Sequence, residues 1–298
     1  APDMFEEIKQ RVAEGRWCIA GGWYIQPDCN LPGGESFVRH GLYSQRYFQE
    51  KFGITAVTGY NVDSFGHNAM LPQLLKKSGL KNYVFMRPSE REKQLEHNLF
   101  RWRSADGSEV NTFRIPYLYN ISLKDMEEIL PKIEQAAKTT PQMAFYGVGN
   151  HGGGPTIAIL SALSAKMEAE PGAYKFSTPD EYFLAAGEKL PVFQGELQHH
   201  ARGCYSANAW VKKKNRQAEH ALTTAEKLQV TAEALFGESC GAQPLKQAWK
   251  GLLFNQFHDI LCGCSLKEAY ADAEQLYGEV FSISGRAMNF ALQKISWN

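Results

Sequence analysis

The run Gly53-Ile54-Thr55-Ala56-Val57-Thr58-Gly59-Tyr60, followed at once by Asn61-Val62-Asp63-Ser64-Phe65-Gly66-His67, carries the reading of the fold. Its first half is short, apolar and β-branched, which predicts a buried strand. Its second half turns polar, with Gly66 letting the chain turn away. Leu71 to Ser78 then has helical spacing, and Asn82 to Met86 is a second apolar run. Further strands are expected at Glu109 to Ile115 and Gln142 to Val148, with a helix over Leu123 to Thr139 between them. Alternation of this kind up to about residue 190 predicts an α/β class, a mostly parallel sheet wrapped by helices.

The pattern changes after about residue 205. Ala218, Ala221, Leu222, Ala225, Leu228, Ala232 and Leu235 recur at helical spacing, Pro244 to Phe257 forms a second helix, and Leu266 through Val280 stripe a third. Three antiparallel helices with short connections make a bundle. The polar stretch Glu196 to Tyr205 is the expected boundary, giving an α/β domain at 1–200 and a helical domain at 201–298.

In 298 residues, Lys+Arg and Asp+Glu balance at 32 each, which argues against a nucleic-acid or anionic-membrane partner. No run approaches the roughly 18 apolar residues of a membrane span, and the start lacks the features of a signal peptide. The opening residues, with Phe5, Ile8 and Val12 at helical spacing and no initiator Met, read as a helix cut into, so an N-terminal truncation is expected. Six scattered cysteines fit reduced thiols in a cytoplasmic enzyme. Cys262-Gly263-Cys264 lacks a second cysteine pair for zinc and reads as buried or half-buried thiols.

In a parallel α/β sheet, functional groups gather where strands end. Asp63 stands at such an end, where it is either a working carboxylate or an N-cap. Gly149-Asn150-His151-Gly152-Gly153-Gly154-Pro155-Thr156 follows another expected strand. It matches neither the phosphate-binding loop nor the dinucleotide pattern, and His151 is its titratable group. Leu252 to Asp259 ends a helix with polar residues inside an apolar run, and His258 there is either a capping histidine or a metal ligand.

Together these residues resemble glycoside hydrolase family 38, the α-mannosidases, particularly its bacterial and cytosolic members. The resemblance runs through Gly21 to Ser36, Tyr60 to His67 with Leu71-Pro72-Gln73-Leu74-Leu75, Phe100-Arg101-Trp102 with Asp106-Gly107-Ser108, Gly149 to Thr156, and Asn255-Gln256-Phe257-His258-Asp259-Ile260, in the family's order. It implies a seven-stranded β/α barrel, here in part, followed by a three-helix bundle. It also implies a retaining, Zn2+-dependent α-mannosidase acting on α-mannosides or mannose-containing oligosaccharides. The family's aspartate in Asp-Ser/Thr-Phe-Gly, both nucleophile and zinc ligand, maps to Asp63, and a further zinc ligand maps to His258. The family's other two ligands come from a His-x-Asp motif. None of the eight histidines has Asp two residues on, so that motif is expected upstream, and activity of this chain alone is in question.

Trp23 and Tyr119 are candidates to stack on or hydrogen-bond the sugar, Arg87 and His151 to contact it, and Asp28 to bind a hydroxyl or act as the acid, a role left open. His199 and His200 would face opposite ways in an extended segment, so one ion cannot take both, and a cleft wall is the expected role. Self-assembly into a homo-oligomer is left open. Two rival readings are a metal-dependent deacetylase, whose Asp-Asp and His-x-x-x-His signature is absent, and a non-catalytic carbohydrate-binding fragment.

Overall fold

Five strands form one mixed sheet in a computed structural model that describes residues 2–149, 152–187 and 189–297. In chain order the elements are α1 (Pro2–Ala13), α2 (Gly34–Phe52), β1 (Thr58–Tyr60), α3 (Leu71–Lys77), β2 (Asn82–Phe85), β3 (Leu99–Arg103), β4 (Glu109–Arg114), α4 (Leu123–Ala137), α5 (Ile157–Ala169), α6 (Pro179–Ala186) and β5 (Val192–Gln194). The helices α7 (Ala209–Phe236), α8 (Ala242–Asn255), the one-turn α9 (His258–Leu261) and α10 (Lys267–Trp297) complete them. Strand order is β1-β2-β4-β3-β5, with β1, β2 and β4 parallel, β3 antiparallel to β4, and β5 parallel to β3.

The central strand β2 is buried at every position, with side chains covered on both faces, which explains the apolar run Tyr83 to Phe85. Strand alternation sends Tyr83 and Phe85 of β2, and Phe100 and Trp102 of β3, to one face, where they pack with Leu71, Leu75 and Leu80 from the α3 region and Phe37 from α2. Val84, Leu99 and Phe113 point the other way, onto Tyr182 and Phe183 of α6. In β3, Arg101 and Arg103 interrupt the apolar pattern, and both pair with Glu109 across the hairpin.

Two expectations shift. The run from Gly53 to Tyr60 becomes a strand only at Thr58–Tyr60, because Gly53, at φ 71, caps α2. Gln142 to Val148 forms no strand: Met143 and Phe145 pack beside α6 while Tyr146 packs beside α4 and α5, and the segment pairs only through the bridge of Ile121 with Tyr146. Its apolar residues serve two clusters side-on.

Helices α7, α8 and α10 pack around Val211, Ala218, Leu222, Ala225, Trp249, Leu252, Ala273, Tyr277 and Ala287. Alanines at helical spacing let the backbones approach closely. Where these helices meet α2, the contact is polar and buried. The Gln256 carboxamide donates through Nε2 to Ser36 Oγ at 3.0 Å, Asn215 Oδ1 at 2.9 Å and Glu219 Oε1 at 3.1 Å, and its Oε1 lies 3.1 Å from His40 Nε2. Glu219 Oε1 also accepts from Gly33 N and Ser36 Oγ, each at 2.7 Å. Beside this network Arg39 pairs with Glu226 at 2.7 Å and stacks 4.0 Å over the Trp249 ring, whose Nε1 donates to Glu226 Oε1 at 2.9 Å.

Trp249 is fully buried at this seam. Trp249→Ala should lower the unfolding free energy by about 3–5 kcal/mol in a urea titration, since a large cavity opens and Glu226 loses a donor. A cost below about 1 kcal/mol would show that the seam contributes little.

His40 and His67 are fully buried, and burial depresses each imidazole to about 3. Both rings are neutral in the fold, whereas the unfolded chain binds a proton on each below about pH 6.5. Their contribution is complete above that value and is lost as pH falls toward 3, by up to about 1.4 kcal/mol per pH unit per ring. Urea midpoints followed from neutral pH downward should drop through this window, and His40→Gln should flatten the curve. An unchanged slope in that variant would exclude His40 as a cause.

Candidate active site

The carboxyl ends of β1 and β2 and the segment after β4 bring three of the expected residues together. Asn61 N donates to Val84 O at 3.1 Å, extending the β1–β2 ladder by one residue, so that half-buried Asp63 emerges at the strand end. Gly66, at φ 103, carries the chain away; a Cβ there would meet Leu197 O at 3.0 Å. Arg87, two residues past β2, donates through Nη2 to Asp63 Oδ1 at 3.3 Å. The Tyr119 phenol is raised by burial and then by the charge of Asp63 and hydrogen bonding to it, and Asp259 acts on it as well. The Tyr60 phenol is also raised, by burial first and then by the charge of Asp63.

Arg87 also donates through Nη1 to His200 Nε2 at 2.9 Å. A guanidinium only donates, so Nε2 is the unprotonated nitrogen and Nδ1–H donates to Glu92 Oε1 at 2.6 Å. The chain Asp63, Arg87, His200, Glu92 thus fixes a histidine tautomer and the direction of the guanidinium. Phe65 stacks on the His200 ring at 5.8 Å and 26°. His200 is half-buried while His199 is exposed.

A second set of groups lies across the strap 26–29. Pro27 and Phe257 form an antiparallel bridge, Asp28 N donates to Gln256 O at 2.9 Å, and His258 N to Gln26 O at 3.2 Å. On the strap's other side Asn61 Nδ2 donates to Pro27 O at 2.9 Å and Ser64 Oγ accepts from Cys29 N at 3.0 Å. The strap therefore ties the loop bearing Asp63 to the turn bearing His258.

Asp28 is fully buried, and burial raises its carboxyl. Its Oδ1 accepts from Asn30 N and Leu31 N at 2.8 Å each, while Oδ2 has no partner. His258 Nδ1 lies 3.0 Å from Gln26 O, and a carbonyl only accepts, so Nδ1 carries the proton and Nε2 presents a lone pair, 3.8 Å from Asp259 Oδ2. A carbonyl holding the other ring nitrogen is the usual support of a metal-binding imidazole. Among the described residues, the only three metal-type donors within mutual reach are Asp259, Cys262 and Cys264, so Asp63 and His258 do not complete a ligand set by themselves.

Of the remaining expected residues, Trp23 is placed in the core, 7% exposed, against Phe37 and His40 and not among the groups around Asp63. His151 lies outside the described residues. Glu92 and Asp259 were not among the expected site residues. The pattern Ser89-x-x-Glu92, in which Ser89 N and Oγ donate to Glu92 at 2.8 and 2.9 Å, is the signal that could have marked the first.

The first 203 residues match the model of the glycosyl hydrolases family 38 N-terminal domain, and residues 199–295 match the alpha mannosidase middle domain. Alpha-mannosidase G of Dictyostelium discoideum is 34% identical over 288 residues, covering 94% of this chain and 26% of that protein. Alpha-mannosidase 2C1 of Mus musculus is 29% identical over 292 residues, covering 94% and 28%. The crystal structure of an alpha-mannosidase from Enterococcus faecalis V583 shares the fold at TM-score 0.84 and 24% identity, covering 99% of this chain and 36% of that one. The chain thus spans about a quarter of the length of these curated relatives, and it belongs to glycosyl hydrolase family 38.

Proposed function

We propose that this chain carries the nucleophile and part of the metal centre of a zinc-dependent retaining α-mannosidase, which removes terminal α-linked mannose from glycans or small mannosides. The observation that carries the reading is Asp63, at a strand's carboxyl end between Arg87 and Tyr119, in a chain of this family. On this reading residues 1–200 are part of a seven-stranded β/α barrel domain and residues 201–298 a three-helix bundle. The six thiols, all free, fit a cytoplasmic address.

Asp63 attacks the anomeric carbon, forming a covalent glycosyl-enzyme as the glycosidic bond breaks. The bond's electron pair stays on the departing oxygen, which takes a proton from a second carboxyl. The resulting carboxylate then removes a proton from water as it displaces the sugar, and configuration is retained. Arg87 aims the Asp63 carboxylate and is itself aimed by His200 and Glu92, so the nucleophile is positioned before substrate arrives. Tyr119 donates beside the attacking oxygen. Asp28, fully buried in the strap with Oδ1 held by Asn30 N and Leu31 N, fixes the strap beside this site.

His258 Nε2 and Asp63 would hold zinc, two of the four ligands the family resemblance implies. An imidazole steadied by a carbonyl together with a carboxylate suits that ion. When bound, zinc orients sugar hydroxyls and favours ring distortion.

The direct test is cleavage of an aryl α-mannoside, with and without zinc, by this chain and by a version extended to its relatives' length. Turnover confined to the zinc-loaded extended protein supports the reading. Sugar binding without cleavage in either version would replace it with a carbohydrate-binding module. In the active version, Asp63→Asn should cut kcat by at least about 10³-fold while leaving sugar affinity within a few fold. Arg87→Ala should lower kcat by about 10- to 100-fold with a smaller change in KM, because it releases the nucleophile's orientation. His258→Ala should reduce bound zinc measured by elemental analysis; undiminished zinc would remove His258 from the centre.

A further inference from the structure

We propose that Asp259, Cys262 and Cys264 form a second cation site, thiolate-rich and suited to a borderline or soft divalent metal such as Zn2+ or Cd2+. The three donor groups lie within 4.8 Å of one another. Cys262 Sγ and Cys264 Sγ are 3.0 Å apart, and Cys264 Sγ is 3.6 Å from Asp259 Oδ1. Opening the sulfur pair to about 3.8 Å, the edge of a tetrahedron with metal–sulfur bonds of about 2.3 Å, needs only small side-chain rotations.

The chain is shaped to keep these sulfurs together. Gly263 between them takes φ 95, and a Cβ there would meet Ala207 O at 2.7 Å, so the turn is closed against the segment before α7. Lys212 Nζ donates to Cys262 O at 3.0 Å, which places a cation beside the pair to offset the negative charge that two thiolates would bring. Cys264 is exposed and Asp259 half-buried, which gives an ion a way in, whereas Cys262 is buried. Two thiolates and one carboxylate favour softer cations over Mg2+ or Ca2+.

Binding displaces one proton from each thiol to solvent and breaks no other bond. Burial raises both thiols, so without metal they remain protonated. Asp259 links this site to the candidate active site: its Oδ1 faces Cys264, and its Oδ2 lies 3.8 Å from His258 Nε2. An ion on the sulfurs would draw the carboxylate toward them and away from that ring.

The test is a Cd2+ titration of the metal-stripped chain in a thiol-free reductant, reading thiolate-to-cadmium charge-transfer absorption in the ultraviolet. The expected result is saturation at one equivalent, with affinity at least about tenfold above that of the urea-unfolded chain. Cys264→Ser, at an exposed position where folding is not at stake, should weaken binding at least about 100-fold, and Asp259→Asn about tenfold with the absorption kept. Asp63→Asn should leave the titration unchanged, because it removes a proposed zinc ligand and none of these donors. Absence of the absorption, its persistence at full affinity in Cys264→Ser, equal affinity in urea, or its loss in Asp63→Asn would each overturn the proposal.

Discussion

The Gln256 carboxamide is the constraint on which the arrangement rests. It sits fully buried just past the end of α8, with Ser36, Asn215, Glu219 and His40 around it, and so joins α2, α7 and α8 through one side chain. In a medium of low dielectric each member left without its partner carries a desolvation cost, so the group holds together as a set. The residue's own carbonyl accepts from Asp28 N, and two positions later His258 begins α9. The polar network thereby sets where the candidate metal ligand stands relative to the strap, and the strap sets where it stands relative to the loop of Asp63.

Sequence periodicity located β1, β2 and β4, because buried apolar residues such as Tyr83, Val84, Phe85, Val110 and Phe113 stand out in them. It set no expectation for β3 and β5. In β3, Arg101 and Arg103 break the apolar run, yet they pair with Glu109, a partner reached only through the hairpin. Gln142 to Val148 misled in the opposite direction, being apolar because it is wedged between two clusters and not because it joins a ladder. The three long helices were plain from their spacing, while α10 runs farther than the stripe from Leu266 to Val280 suggested.

Asp63 and Arg87 could be placed at strand ends from the order of elements, and Asp259 stood in a run already marked by its polar residues. What could not be read was which side chains would face them. The hydrogen bonds from Arg87 to His200 and from His200 to Glu92 join positions separated by more than 100 residues. Trp23, an aromatic in a motif, looked fit for a sugar but packs on Phe37 and His40. The Cys262-Gly263-Cys264 turn likewise seemed inert as a string, and gains meaning only from Asp259 beside it.

The strap 26–29 makes most of its connections with backbone atoms: Asp28 N and Gln26 O toward the helices, Pro27 O, Cys29 N and Cys29 O toward the loop of Asp63. The partners across from it are often side chains, namely Asn61, Ser64 and Asn68. Variation should therefore be distributed unevenly over evolutionary time. Gln26 and Pro27 can drift without unpicking the seam, because any residue supplies a carbonyl, whereas the positions that meet them need a particular functional group. The join between the two halves is written mainly on one side of it.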